Sequence, residues 1–193
     1  MVEPTDASAA RREAILGAAT AVFLRYGFRK TSMDDLARAA GLSRQGLYLH
    51  FASKEALFGA AVLRLIEQSR AAGRAALGRD DLDPEARLLG AFEAHQGDAI
   101  GEAGHMNELL ETARALVGPV LKELEEEFVA GVARVLKSSG VAARWKGSGV
   151  TAKELAEHLN ATSSGVKHVV TTTAAYRDRM RVAVRIACRG AGE

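Results

Sequence analysis

Apolar residues recur three and four apart along most of this chain, the spacing of a helix with one buried face. Ile15, Ala19, Val22, Phe23 and Tyr26 make the first such stripe, and Gly27 supplies its stop. Thr31 opens a short second helix, with Asp34 completing a capping-box pattern, and Gly41 ends it. Ser43 caps a third helix through His50, and Ser53 caps a fourth running to about Ala76. Beyond these, the pattern predicts helices near 84–99, 104–116, 119–138, 151–167 and 173–189. Pro84 follows a potential N-cap at Asp83, and Pro119 stands where another helix can begin. Thr151 and Glu154 form a second capping box just after the flexible stretch Lys146–Gly149, and Gly78–Asp83 is the other clear break. No alternating run bounded by hairpin turns occurs, so the expected fold class is all-α.

Composition narrows the class further. At 193 residues the chain is one domain or two small ones, and its 48% apolar content is enough for a core. No stretch of about 18 uncharged apolar residues occurs, so no membrane span and no membrane partner are expected. The segment Met1–Arg12 carries charges of both signs and lacks the apolar run of a signal peptide. With a single cysteine, Cys188, there is no sign of an oxidising compartment, and the cytoplasm is the expected location. Net charge is only +2, but residues 1–58 hold eight basic side chains against six acidic ones, so the whole surplus lies at the N-terminal end. That is compatible with a nucleic-acid partner without requiring one.

The sharpest signal lies in residues 33–51. Two short helices crossing steeply need a small residue where they touch, a turn residue able to take positive φ, and apolar residues facing a shared core. Ala37, Gly41, and the trio Leu36, Leu42 and Leu47 meet those needs in order. Ser43 as N-cap leaves Arg44, Gln45 and Gly46 exposed, the positions that would meet base edges in a major groove. Taken alone, the pattern also fits any small helical hairpin.

Its surroundings say more. Phe23, Gly27, Phe28, Thr31, Met33, Leu36, Ala37, Ala40, Gly41, Leu42 and Ser43 stand in a fixed register with Leu47, Tyr48, Phe51, Lys54, Glu55 and Leu57. From Ile15 to Phe58 this run resembles the tetracycline-repressor (TetR) family of regulators. The resemblance implies a three-helix helix-turn-helix DNA-binding domain, here residues 1–52, and a helical ligand-sensing and dimerisation domain, here 53–193. It also implies a homodimeric repressor that leaves double-stranded operator DNA when a small-molecule effector binds.

Carried onto this chain, the family pattern places Thr31 at a phosphate and starts the recognition helix with Arg44 and Gln45. Arg can bridge guanine O6 and N7, and Gln adenine N6 and N7. Tyr48 takes the place of a family tyrosine whose hydroxyl reaches the DNA backbone while its ring packs inward. Lys54 would add charge to a helix end already suited to phosphate. Gly46 departs from the family's common threonine or serine, and Leu49 and His50 stand where His and Tyr are common, so base specificity does not carry over. Leu49 either touches a thymine methyl or is simply a partly exposed leucine.

The remaining residues constrain function less. Val120, Leu121, Leu124, Phe128, Val132, Val135 and Leu136 follow helical spacing as core, while Glu123 and Glu125–Glu127 read as a solvated face. His95, His105, His158 and His168 lack metal-ligand spacing, so no metal site is expected. A ligand pocket is expected among the helices of 84–138, with Phe92, His95, Met106, Leu110 and Phe128 as lining. Aromatic residues make up only 5% of the chain, which favours an aliphatic wall. Tyr176, Met180, Ala183, Val184 and Ala187 line one face of the last helix, and Asn160–Gly165 is a run of small residues before it. By resemblance these two helices pair with their mates in a second subunit; burial within one chain is the alternative. No glycine-rich phosphate loop, Gly-x-Ser-x-Gly elbow or acid–base–nucleophile cluster supports an enzyme, and no cofactor is expected. A purely architectural DNA-binding protein is the second reading, and an activator is a variant of the first.

Overall fold

The structure, a computed structural model, describes residues 6–96 and 103–190; of residues 6, 96, 103–108 and 110 only the backbone is described. Among the described residues there are helices and no strands: α1 (Asp6–Tyr26), α2 (Met33–Ala39), α3 (Arg44–Tyr48), α4 (Lys54–Leu77), α5 (Pro84–Gln96), α6 (Ala103–Ser138), a 3₁₀ helix (Ala142–Ser148), α7 (Ala152–Val169) and α8 (Thr173–Arg189). None of these helices is long and apolar enough to cross a membrane. They gather into two compact units, one of residues up to Ile66 with Ala103–Leu121, the other from Glu67 through α5 and from Lys122 onward.

Several helix ends follow directly from local chemistry. The Asp83 carboxylate accepts the backbone N–H of Glu85 and of Ala86, capping α5 with Pro84 in its first position. At α7 the Thr151 side chain accepts the Glu154 N–H while Glu154 reaches back to the Thr151 N–H, a complete capping box. One expectation is corrected. Ser32, not Thr31, caps α2, in a reciprocal box with Asp35 rather than Asp34. The helices expected at 104–116 and 119–138 are both present as the two arms of α6, which meet at a kink where the Val117 backbone leaves the helical range (φ −133°, ψ 23°). Pro119 accounts for the kink, because its ring removes one ladder N–H and crowds the preceding turn. Residues 97–99, the end of the helix expected over 84–99, lie outside the described residues.

In the first unit, Ile15, Leu16, Ala19 and Phe23 of α1 are buried, as are Met33, Leu36 and Ala37 of α2, Leu47 of α3, and Leu57 and Phe58 of α4. Phe58 sits between two rings, edge-on to Phe23 and tilted against Phe28, each at 5.0 Å. Tyr26 belongs to the α1 stripe by spacing but is exposed.

The second unit has its own core. α5 contributes Leu88 and Phe92, α6 Phe128, Val132 and Leu136, α7 Leu155 and Leu159, and α8 Tyr176, Met180 and Val184. Through it runs a short polar seam: the Tyr176 hydroxyl lies 2.6 Å from Ser163 Oγ and donates to the Phe92 carbonyl at 3.4 Å. Burial pushes the Tyr176 phenol up to about 12, so the neutral form serves this seam at pH 7. The last carbonyls of α8 are met by the 3₁₀ helix, with Trp145 Nε1 donating to Ala187 and Arg144 to Cys188.

Candidate nucleic-acid interface

The turn between α2 and α3 is closed by backbone geometry. Gly41 sits at φ +65°, where a Cβ would be strained, and the next N–H, from Leu42, bonds the Ala37 carbonyl at 2.9 Å. Ser43 then caps α3, its side chain accepting the Gly46 N–H at 3.0 Å. Leu47 is wholly buried and fixes the rotation of this one-and-a-half-turn helix. The opposite face is left to solvent, with Arg44 and Gln45 exposed on its first turn.

Arg44 is not loose. Its Nη1 donates to Asp34 Oδ2 of α2 at 2.9 Å, and its guanidinium lies over the Tyr48 ring, 5.7 Å from the centroid. Tyr48 first and Asp34 second push the guanidinium further toward its charged form. Asp34 escaped the sequence reading as a partner because a link ten residues back appears only once α2 and α3 cross. The Gln45 carbonyl accepts the Leu49 N–H at 3.2 Å, while its side chain makes no hydrogen bond among the described residues. Gly46 leaves room for its neighbour: a Cβ there would stand 3.2 Å from Ser43 Oγ, so the family's hydroxyl residue would crowd the cap.

Other expected positions fall differently. Thr31 is buried and its hydroxyl donates to the Gly27 carbonyl at 2.7 Å, so the side chain placed at a phosphate by resemblance faces inward. The Tyr48 ring is 42% exposed rather than packed inside. Leu49 is 87% exposed, and His50 gives its carbonyl to Arg12. Lys54 is half-buried, with Nζ donating to the carbonyls of Phe28 and Thr31 at 3.1 and 3.0 Å above the Phe28 ring. It ties the α1–α2 turn to the start of α4, which leaves at most one ammonium hydrogen for another acceptor.

The second unit holds a cavity of about 510 Å³ walled by the later part of α4, by α5 and by the later part of α6. His95 and Phe128 of the expected lining are on its wall, the imidazole flat against the ring at 3.9 Å. Phe92 is behind the wall, edge-on to Phe128. Met106 and Leu110 lie outside the residues whose side chains are described. The wall departs from the aliphatic expectation, since Arg70, Arg74, Arg87 and Arg134 all reach it. The acidic run Glu123–Glu127 is not merely solvated: Glu127 binds Arg70 and Arg74, and Glu125 accepts from Asn160. Burial first, and Lys167 second, bring His95 down to about 4, which leaves it neutral at pH 7. No group of three metal-ligating side chains occurs among the described residues.

The face of α8 expected at a subunit interface is core. Tyr176, Met180, Val184 and Ala187 are buried against α5, α6 and α7 of the same chain, and Ala183 packs beside them. The large apolar residues of α8 left in solvent are Val182 and Ile186, 57% and 60% exposed.

Against known proteins, a family model described as bacterial regulatory proteins, tetR family, matches residues 15–61. The chain is 35% identical over 119 residues to the uncharacterised HTH-type transcriptional regulator YfiR of Bacillus subtilis, covering 62% of this chain and 50% of that protein. It is 39% identical over 84 residues to the HTH-type transcriptional activator FasR of Mycolicibacterium smegmatis, covering 44% of this chain and 38% of that one. The matches thus span half or less of these curated relatives. A solved TetR-like transcriptional regulator from Rhodococcus sp. RHA1 superposes with a TM-score of 0.65 at 27% identity, covering 92% of this chain and 94% of its own.

Proposed function

We propose that this chain, whose residues 15–61 match the bacterial regulatory proteins of the tetR family, is a sequence-specific transcriptional regulator of that family, a homodimer released from operator DNA by a small molecule. The carrying observation is the solvent face of α3: Ser43 caps the helix, buried Leu47 orients it, and Arg44 and Gln45 stand clear on its first turn. Those residue types read guanine and adenine edges. The pairing with Asp34 does not prevent this, because it uses only Nη1 and lies in water, where such a bond is cheap to exchange. Residues 1–52 are the proposed reading domain and 53–193 the sensing and dimerisation domain. The proposed location is the cytoplasm, where operator DNA is found.

Dimerisation is assigned to what α7 and α8 leave exposed: Ala161 and Gly165 on the one, Val182 and Ile186 on the other. Small residues on one helix and branched ones on the next suit a four-helix seam with a second copy. Repression is the mode typical of the family, although one relative is named an activator. α4 contributes residues to both units and also to the cavity wall, so it is the element through which an occupied cavity would act on DNA binding.

The test is selection of binding sites from a random DNA pool, followed by the same selection with Arg44→Ala and Gln45→Ala. Each variant is expected to change the preferred base at one position in each half-site. No enriched sequence with the native chain would end the reading, and uniform weakening by both variants would make them positioning residues only. Deleting the protein beside a reporter of the selected site gives the sign, with expression rising for a repressor.

A further inference from the structure

The cavity of the second unit carries an inference about its ligand, and that inference rests on reading this unit as a sensor. Two of the polar atoms on its wall residues have no hydrogen-bond partner although they are buried: Arg70 Nε and His95 Nδ1. Arg70 Nε does lie 3.2 Å from Glu127, but off the line a hydrogen bond needs. Buried groups of this kind are seldom left unmatched, and two on one wall point to an occupant. Charge agrees with this. Four arginines line the cavity against the single carboxylate of Glu127. Arg87 is paired with Asp80, Arg70 is shared between Glu67 and Glu127, and Arg74 also pairs with Glu127, while Arg134 makes no ion pair among the described residues. The same wall also carries apolar side chains, Leu77, Leu124, Val135 and the Phe128 ring. The volume is that of a pocket for one small organic molecule.

We propose that the effector is an organic anion, its carboxylate, sulfonate or phosphate held among Arg70, Arg74 and Arg134 and its apolar body against Phe128. Guanidinium forks suit planar and tetrahedral oxyanions, and an acceptor oxygen is what the Arg70 N–H lacks. His95, neutral at pH 7, can meet a ligand hydrogen bond without adding charge.

A matched pair of fluorescent probes tests this. 1-Anilinonaphthalene-8-sulfonate and N-phenyl-1-naphthylamine share the same ring system and differ by the sulfonate. With the full chain and no DNA, the sulfonate is expected to bind saturably at one site per chain, roughly tenfold tighter than the neutral probe. Arg74→Gln with Arg134→Gln should weaken the sulfonate by about fivefold or more and leave the neutral probe unchanged. Gly73→Leu, whose Cβ would meet Phe128 at an ordinary 3.5 Å, should block both. Lys137→Gln, on α6 but off the cavity wall, should change neither. Equal affinity for the two probes, no saturable site, or an equal loss with Lys137→Gln would each overturn the anion assignment. Because DNA is absent, that failure would leave the operator reading standing, and failure of the site selection would leave these titrations untouched.

Discussion

Replacing His95 with phenylalanine should flatten the acid limb of the second unit's stability. The imidazole lies on the Phe128 ring at 3.9 Å and 6° from parallel, and its burial takes it from an ordinary 6.5 to about 4. The folded protein therefore resists a proton that the unfolded chain accepts. Above pH 6.5 neither state is protonated and the full stability is present; between 6.5 and 4 only the unfolded state gains the proton, so stability falls as pH falls. Each unit of separation corresponds to 1.36 kcal/mol, so by pH 4.5 this one residue removes about 2–3 kcal/mol. Phenylalanine keeps the stacked ring, and the Ser69 hydroxyl bonds the backbone carbonyl of residue 95, which the substitution leaves in place. Urea unfolding followed by the fluorescence of Trp145, the chain's single tryptophan, reports the second unit directly because its indole donates to Ala187 of α8. Native and variant chains compared at pH 7.5 and 4.5 should differ in their pH-dependent loss by about 2–3 kcal/mol. An identical loss in both would refute the argument and shift the acid sensitivity to paired carboxylates.

Lys54→Met should lower the stability of the first unit by about 1–3 kcal/mol, because the Thr31 carbonyl loses its ammonium donor and the Phe28 carbonyl keeps only the Thr31 N–H. It should barely alter the salt dependence of DNA binding, and a slope flatter by about one would show instead that Lys54 contacts phosphate. Tyr176→Phe should cost about 1–2 kcal/mol in the same tryptophan-monitored titration, because the buried hydroxyl's bonds to Ser163 Oγ and the Phe92 carbonyl are lost. Ile186→Arg, at an exposed position of α8, should leave the fold intact while sedimentation shows monomer; an unchanged dimer would place the seam elsewhere.

The reading head was legible in the sequence because its determinants are local. Gly41, Ser43 and Leu47 act within a few residues of themselves: a positive φ, a cap and a buried side chain need only short chain segments, and all three stand where spacing put them. The same holds for Asp83 at α5 and for the box of Thr151 and Glu154. Where two adjacent hydroxyl residues compete for one cap, as Thr31 and Ser32 do, only the packing of Gly27 beside Thr31 decides which turns inward. What tertiary structure alone settled is who meets whom. Helical periodicity groups Tyr176, Met180 and Val184 on one face but carries no information on whether that face meets its own chain, and here α5, α6 and α7 fill it. Val182 and Ile186, set among arginines in the sequence, are what that packing leaves in water. The arginines of the cavity likewise look solvated along the chain, and become one wall because α4, α5 and α6 bring residues 70, 87 and 134 together across many intervening positions. Side-chain spacing dictates faces; long-range burial decides which faces are core, which are walls of a site, and which are left for a partner.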